Sequence, residues 1–381
     1  MKSVFGLNRK VLIVNEERII IHCDMDAFFA AVETLHHDLD PEVALILGSD
    51  PQGGRGRGIV STCNYAARKY GIHSAMPISE AWRRCPGPPH GAGLYMISTR
   101  GLYRRASRKV MEILVRCADK FEQASIDEAY LDVTDYVKGD WDKALALARQ
   151  LQSEIKEKLQ LGSSFGIGPT RIVAKMGSEE NKPAGIHITR PEQVMEFFTQ
   201  RACRAVPGIG PASATRLAEC GIETMDEAYS MGELALSRAI SERSAKWMIK
   251  VVEGNTSNKV SPLRSRKSIG KEHTFSKDTT DVELILKRLD RLIDGVFERM
   301  KKMQISARLV EVKIRYKGFE THTVHRSIPV AMDEISVFRR LAHRLFAENC
   351  EQQRPVRLVG FRVGQLDMPA SKQTILFNEE E

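Results

Sequence analysis

Two segments of this chain run apolar and then end in carboxylates. They are Ile19-Ile20-Ile21-His22-Cys23-Asp24-Met25-Asp26-Ala27-Phe28-Phe29 and Ala124-Ser125-Ile126-Asp127-Glu128-Ala129-Tyr130-Leu131-Asp132. Each reads as a buried strand with acids at its end. Carboxylates on neighbouring strands can share divalent cations with a phosphate ester, the arrangement that two-metal phosphoryl chemistry requires. Asp24, Asp127 and Glu128 are therefore the candidate metal ligands. Alone, either motif reads better as a turn whose aspartate caps the next element. Two of them about 100 residues apart, with a basic aromatic segment between, favour the metal reading.

The 381 residues suggest two to four domains, and 42% apolar with 28% charged residues is ordinary for a globular chain. Stretches such as Val11-Leu12-Ile13-Val14 are too short to cross a membrane, and the N-terminus lacks the apolar core of a signal peptide. The seven cysteines are scattered, with no Cys-x-x-Cys pair, which argues against a zinc site or disulfide framework and for a reducing, cytoplasmic location. The net charge of +8 is uneven: residues 255–381 hold 24 basic and 17 acidic side chains, and residues 1–254 hold 33 and 32. The basic final third suits a polyanion such as nucleic acid, or is a solvated surface.

Apolar spacing predicts strands at 19–23 and 43–47, helices at 28–37 and 63–71, a basic glycine loop at 53–58, a helix over 99–118, a strand from Ile126 to Val133 and an amphipathic helix over 142–159. Residues 192–254 read as all-helical, and Asn255 to Lys267 as a polar linker. Then follow a strand from Ser268, a helix at 281–303, strands at 308–316 and 322–329, a helix at 333–348 and a strand at 356–363, a split βαβ order. The fold class is α+β and multidomain. From about Pro369 the chain reads as a mobile tail.

Other motifs carry possible roles. Tyr65 and Arg68, three apart on a helix, offer a phenol and a guanidinium to phosphate oxygens; read alone, Arg68 is a surface charge. Lys182 stands in a turn, Asn181-Lys182-Pro183-Ala184-Gly185, and matters only if that turn faces the carboxylates. Val206-Pro207-Gly208-Ile209-Gly210-Pro211 looks like a helix-hairpin-helix, in which Gly208 and Gly210 let the backbone approach a DNA phosphate. Gln373-Thr374-Ile375-Leu376-Phe377 can dock in a partner's groove, or is an inert end.

Taken together, these motifs resemble the Y-family DNA polymerases, in particular the bacterial DNA polymerase IV type. The likeness runs from Ile19 to Gln365. It rests on Asp24–Glu33, Asn64–Gly71, Ser125–Asp132, Lys182–Gly185, Val206–Gly210, Arg266–Gly270 and Val356–Gly360. It implies a right-hand architecture with a ferredoxin-like palm at 1–27 and 99–189, small fingers at 28–98, a helical thumb at 190–257, a linker at 258–267, a little finger at 268–367 and a tail at 368–381. It implies two Mg²⁺ ions, replaceable by Mn²⁺, held by Asp24, Asp127, Glu128 and the Met25 carbonyl. Phe28, Phe29, Thr62, Tyr65, Arg68 and Lys182 would contact the incoming dNTP, with Phe29 as the steric gate under its sugar. Gly208, Gly210, Arg266, Lys267, Ser268, Arg357 and Arg362 would contact primer-template DNA. Gln373, Ile375, Leu376 and Phe377 would bind a bacterial sliding clamp, and the enzyme is expected to be a monomer. The chain departs from the family's Pro-Asn-Lys at Gly168-Pro169-Thr170-Arg171, with Arg171 as the candidate substitute for that lysine at DNA. It is also more acidic at Met176–Asn181.

The expected activity is template-directed, low-fidelity translesion DNA synthesis without proofreading. A DNA-binding scaffold with a decayed site is a rival that the intact acidic set opposes. A cyclase-like nucleotidyl transferase is another, opposed by the hairpin and the basic final third.

Overall fold

The computed structural model describes residues 17–99, 101–262 and 266–367. The chain divides into two units after Pro262. In the first, β1 (Ile20–Met25) is buried along its whole length. Its side chains alternate, as the period of a strand dictates. Ile21, Cys23 and Met25 enter the main apolar core, and Ile20 joins a separate cluster. The turn into α1 (Phe28–His36) places Ala27 in the left-handed region at φ 44°, which costs about 1–2 kcal/mol for a residue with a Cβ.

Next come β2 (Ala44–Gly48), β3 (Val60–Cys63), α2 (Tyr65–Arg68), α3 (Ile78–Arg84) and β4 (Gly93–Met96). They build a small sheet in the order β3-β2-β4. The helix expected over 63–71 is a strand end followed by a single turn, because Asn64 leaves the strand as a cap. Its Oδ1 accepts from Leu45 N (3.1 Å) and Ala67 N (3.0 Å), and its Nδ2 donates to Val43 O (2.7 Å).

The chain returns through α4 (Leu102–Val115), β5 (Lys120–Gln123), β6 (Glu128–Asp132), α5 (Trp141–Leu159), β7 (Ser163–Gly168), α6 (Arg171–Glu180) and β8 (Ile186–Ile188). The five-stranded sheet has the order β5-β6-β1-β7-β8, with β1 antiparallel to both neighbours. α4 and α5 bury one face, with Val110, Leu114, Leu147 and Leu151 against Ile21, Leu131 and Phe165. On the other face Ala174 of α6 meets Ile20 and Tyr130. A Cβ at Gly166 of β7 would lie 1.9 Å from Ala174 O, so α6 can lie against the sheet only over a glycine.

α7 (Val194–Thr199), α8 (Pro211–Glu219), α9 (Met225–Ala239) and α10 (Glu242–Val252) share a core that includes Phe198, Leu217, Leu236 and Met248. Residues 255–262 differ from the free linker that their polarity suggests. Val260 is 2% exposed. Ser257 O accepts from Arg171 N (3.1 Å), Lys259 O from Arg171 Nη1 (3.2 Å), and Ser261 N donates to Glu122 Oε2 (3.0 Å). The main-chain groups of this segment are tied to the first unit, which side-chain polarity alone does not reveal.

The second unit runs β9 (Ser268–Thr279), α11 (Val282–Met303), β10 (Ser306–Tyr316), β11 (Thr321–Met332), α12 (Ile335–Asn349) and β12 (Val356–Asp367). This is the split βαβ order, with the sheet arranged β11-β10-β12-β9 and antiparallel throughout. Leu289, Ile293 and Val296 of α11 and Phe338, Ala342 and Phe346 of α12 pack on Val310, Val312, Ile314, Phe361 and Val363. Among the described residues no helix is long and apolar enough to cross a membrane.

Candidate active site

Strand register brings the acids together. Asp24 on β1 stands opposite Glu128 on β6 and Ser164 on β7. Met25 N donates to Asp127 O (3.1 Å), so Asp127 lies beside the end of β1. Asp127's carboxylate accepts from Ser125 Oγ, which itself accepts from the backbone N–H of Asp127 (3.1 Å) and Glu128 (2.9 Å).

The Lys182 turn faces these carboxylates. Lys182 Nζ lies 2.7 Å from Asp24 Oδ1 and 2.8 Å from Glu179 Oε1. Burial pushes the Asp24 carboxyl up to about 6 against the pull of Lys182. Burial also opposes the charge on Lys182, but the carboxylates of Asp24 and Glu179 outweigh it and raise its pKa. Glu128 is held down at about 2, first by His22 and then by Lys175 against the effect of burial. Two adjoining carboxylates thus sit on opposite sides of their ordinary range, a pattern common at functional sites.

The acidic stretch Met176–Asn181 has a structural use. Glu179 holds Lys182, and Glu180 pairs with Arg201 at 2.7 Å.

Several participants were not visible in the sequence. Lys175 Nζ donates to Glu128 Oε2 at 2.7 Å. His22, fully buried, hydrogen-bonds Ser178 Oγ through Nδ1 (2.8 Å) and brings Nε2 to 3.4 Å from Glu128 Oε2. Asp26 accepts from Ser164 Oγ and Ala184 N, both at 2.8 Å, so it anchors the Lys182 turn. The signal for His22 was its position two residues before Asp24, hence on the same side of a strand. Nothing local marked Lys175.

The Tyr65 hydroxyl is buried without a hydrogen-bond partner. Burial raises its pKa, and Asp26 raises it further, while Lys182 and Arg68 oppose. Arg68 lies 4.6 Å over the Tyr65 ring. Thr62 is half-buried on β3, opposite Leu47. Phe28 is buried, and the half-buried Phe29 stacks on Tyr103.

Three carboxylates and a strand-end carbonyl are hard oxygen donors of the kind Mg²⁺ takes. The unpartnered Tyr65 hydroxyl, with Arg68 over its ring, suits a further oxygen acceptor such as a phosphate. The residues present fit the metal and nucleotide that the sequence implies.

Gly208 adopts φ +98°, and a Cβ there would meet Trp247 Nε1 at 2.9 Å. Trp247 Nε1 donates to Pro207 O (3.0 Å) and fixes the hairpin, with Gly210 capping α8. In the second unit, Arg266 Nη1 lies 3.6 Å from Met303 Sδ, Arg357 covers the Phe319 ring at 4.4 Å, and Arg362 pairs with Glu311. Lys267 is exposed and Ser268 opens β9. Gln373, Ile375, Leu376 and Phe377 lie outside the described residues.

Arg171 is engaged within the first unit. Its guanidinium makes two contacts to Glu122, one of them at 3.0 Å, and lies 3.9 Å over the Tyr130 ring.

The impB/mucB/samB family model matches residues 23–179, and the model of that family's C-terminal domain matches 266–376. The chain is 38% identical over 365 residues to DNA polymerase IV of Methanoculleus marisnigri, covering 93% of this chain and 96% of that one. It is 36% identical to DNA polymerase IV of Listeria monocytogenes, with 93% and 96% covered. Among solved structures, a Y-family DNA polymerase chimera, Dbh-Dpo4(243-245)-Dbh, superposes with a TM-score of 0.81 at 29% identity, covering 92% of this chain and 100% of that one. The insertion ternary complex of Dbh DNA polymerase gives 0.65 at 29%, with the same coverage.

Proposed function

The chain belongs to the impB/mucB/samB family, and from that membership we propose that it is a DNA-directed DNA polymerase of the translesion type, adding dNTPs to a primer 3′ end at the Asp24–Asp127–Glu128 site. The observation that carries the reading is the strand register that sets Asp24 against Glu128 with Lys182 at 2.7 Å. Two Mg²⁺ ions, or Mn²⁺ in their place, would be held by Asp24, Asp127, Glu128 and the Met25 carbonyl; when bound they supply a lower pKa for the primer hydroxyl and charge neutralisation for the leaving pyrophosphate.

The protein's own groups do the rest. Tyr65, Arg68 and Lys182 grip the triphosphate, and Thr62 and Phe28 line its path. Phe29 fills the space of a 2′-hydroxyl. Gly208 and Gly210 approach a phosphate of the duplex, and Arg266, Lys267, Ser268, Arg357 and Arg362 contact its backbone. In domain terms, residues 1–27 and 99–189 form the palm, 28–98 the fingers, 190–257 the thumb, 258–267 the linker and 268–367 the little finger.

The enzyme acts as a cytoplasmic monomer, the location that its scattered cysteines favour. Primer extension with Mg²⁺ and dNTPs on a primer-template tests the reading. Templated addition is expected, whereas a DNA-binding scaffold gives none and a cyclase acts without a template.

The tail at 368–381 tethers the enzyme to a bacterial sliding clamp through Gln373, Ile375, Leu376 and Phe377. A tether raises local concentration at the primer end without fixing orientation. Deleting 373–381 is expected to leave synthesis on a short primer-template unchanged and to abolish stimulation by a loaded clamp. Full stimulation of the deletion protein would move the contact elsewhere.

A further inference from the structure

Phe29, Glu33 and His37 are spaced by four along α1 and its end, so they share one side of the helix. The Phe29 ring lies flat on Tyr103, with centroids 4.1 Å apart and planes 10° from parallel. The Tyr103 hydroxyl donates to Glu33 Oε1. The Glu33 carboxylate also accepts from Thr99 N (2.7 Å) and Thr99 Oγ1 (2.9 Å), with His37 Nε2 at 3.1 Å. Glu33 is 0% exposed and Tyr103 8%.

A carboxylate at that depth is tolerated only when its oxygens are satisfied, and here they are. Burial alone would raise the Glu33 carboxyl, but the bonds from Tyr103 and Thr99 bring it below its usual range. Burial and then the bond to Glu33 raise Tyr103 to about 12, so it remains a neutral donor.

We infer that Glu33 and Tyr103 are positioning residues for sugar discrimination: the buried carboxylate pins the tyrosine ring, and the ring pins Phe29. This rests on the reading of Phe29 as the ring beneath the sugar. Excluding one hydroxyl requires a wall that does not yield, and a phenylalanine free to change χ1 or χ2 can swing aside. Stacking fixes the height of the Phe29 ring. The Tyr103–Glu33 bond fixes the platform in its own plane. Functional side chains need this kind of support to hold within about 0.5 Å.

The test compares kcat/KM for dATP and ATP in single-nucleotide addition, with thermal unfolding alongside, for the wild type and for Phe29→Ala, Tyr103→Leu, Tyr103→Phe and Glu33→Gln. Phe29→Ala is expected to remove most discrimination. Tyr103→Leu is expected to lower the dATP/ATP ratio by about tenfold or more, the scale of effect that sub-ångström misplacement can produce. Tyr103→Phe keeps the ring but loses its anchor, and Glu33→Gln leaves only a neutral amide oxygen to accept from Tyr103; both are expected to lower the ratio less, in the same direction, Glu33→Gln the least. A structural role alone lowers both efficiencies together and leaves the ratio at the wild-type value. That result for Tyr103→Phe overturns the inference, including where Tyr103→Leu fails to fold. An unchanged ratio in Phe29→Ala instead overturns the reading of Phe29 itself.

Discussion

Asp127→Asn is expected to abolish templated nucleotide addition while affinity for primer-template DNA stays near the wild-type value, and Asp24→Asn to do the same. Asp127 is half-buried, and the hydrogen bond to its carboxylate is local, from Ser125 Oγ. Its carboxylate therefore holds no distant part of the fold, and its charge is available to a cation. Asp24 differs, because it shares Lys182 with Glu179. Neutralising Asp24 leaves Lys182 one carboxylate and shifts the turn that Asp26 anchors through Ala184 N. Both substitutions keep side-chain volume, so melting temperature is expected to change little for Asp127→Asn and more for Asp24→Asn. Removing one group that stabilises transition-state charge typically costs about 10²–10³ in rate, and losing a metal ligand is expected to reach or exceed that. Primer extension under single-turnover conditions, with binding followed by fluorescence anisotropy, separates chemistry from affinity. Extension by Asp127→Asn at a rate close to wild type would remove Asp127 from the metal site.

The parts legible in the sequence are those whose signal is local. An aliphatic run ending in acids marked β1, but at β6 (Glu128–Asp132) the acids open the strand instead, because it runs antiparallel to β1 and residues 124–127 are the turn from β5; strong periodicity marked α5, α11 and α12 and the order of the second unit. β7 was not legible. Ser-Ser-Phe-Gly-Ile-Gly has little apolar pattern, because α6 presses its backbone against Gly166 and leaves no room for side chains there. Contacts that support the candidate site were also hidden. Lys175 reaches Glu128 from 47 residues away, and Glu33 holds Tyr103 across 70. No motif spacing encodes such pairs, since each depends on how two separate elements pack. Lys182 was legible as a conditional, and the fold supplied the condition by turning it toward Asp24.

Arg171 makes contacts that its sequence setting does not suggest, and its replacement carries the second large effect. A basic residue after Gly-Pro-Thr suits contact with a phosphate. In the fold its side chain is only 18% exposed, and that of its partner Glu122 is 4% exposed. The guanidinium also covers Tyr130, two residues along β6 from Glu128, whose ring lies 4.5 Å from His22. Through Ser257 O and Lys259 O the same residue fastens the segment that leads out of the first unit. Removing one member of a buried pair costs about 3–5 kcal/mol, and with Arg171 partly exposed the lower end applies. Arg171→Ala is therefore expected to destabilise the first unit by about 3 kcal/mol in urea unfolding, and to open residues 255–262 to limited proteolysis. Replacing the pair together, with Arg171→Met and Glu122→Leu, is expected to recover part of the loss, because no charge is then buried. The DNA-contact alternative predicts the opposite pattern: stability within about 0.5 kcal/mol of wild type, weaker primer-template binding, and a salt dependence shallower by about one phosphate contact. The two patterns share no outcome, so unfolding and salt titration of one variant decide whether this arginine serves the DNA or the sheet that carries Asp24 and Glu128.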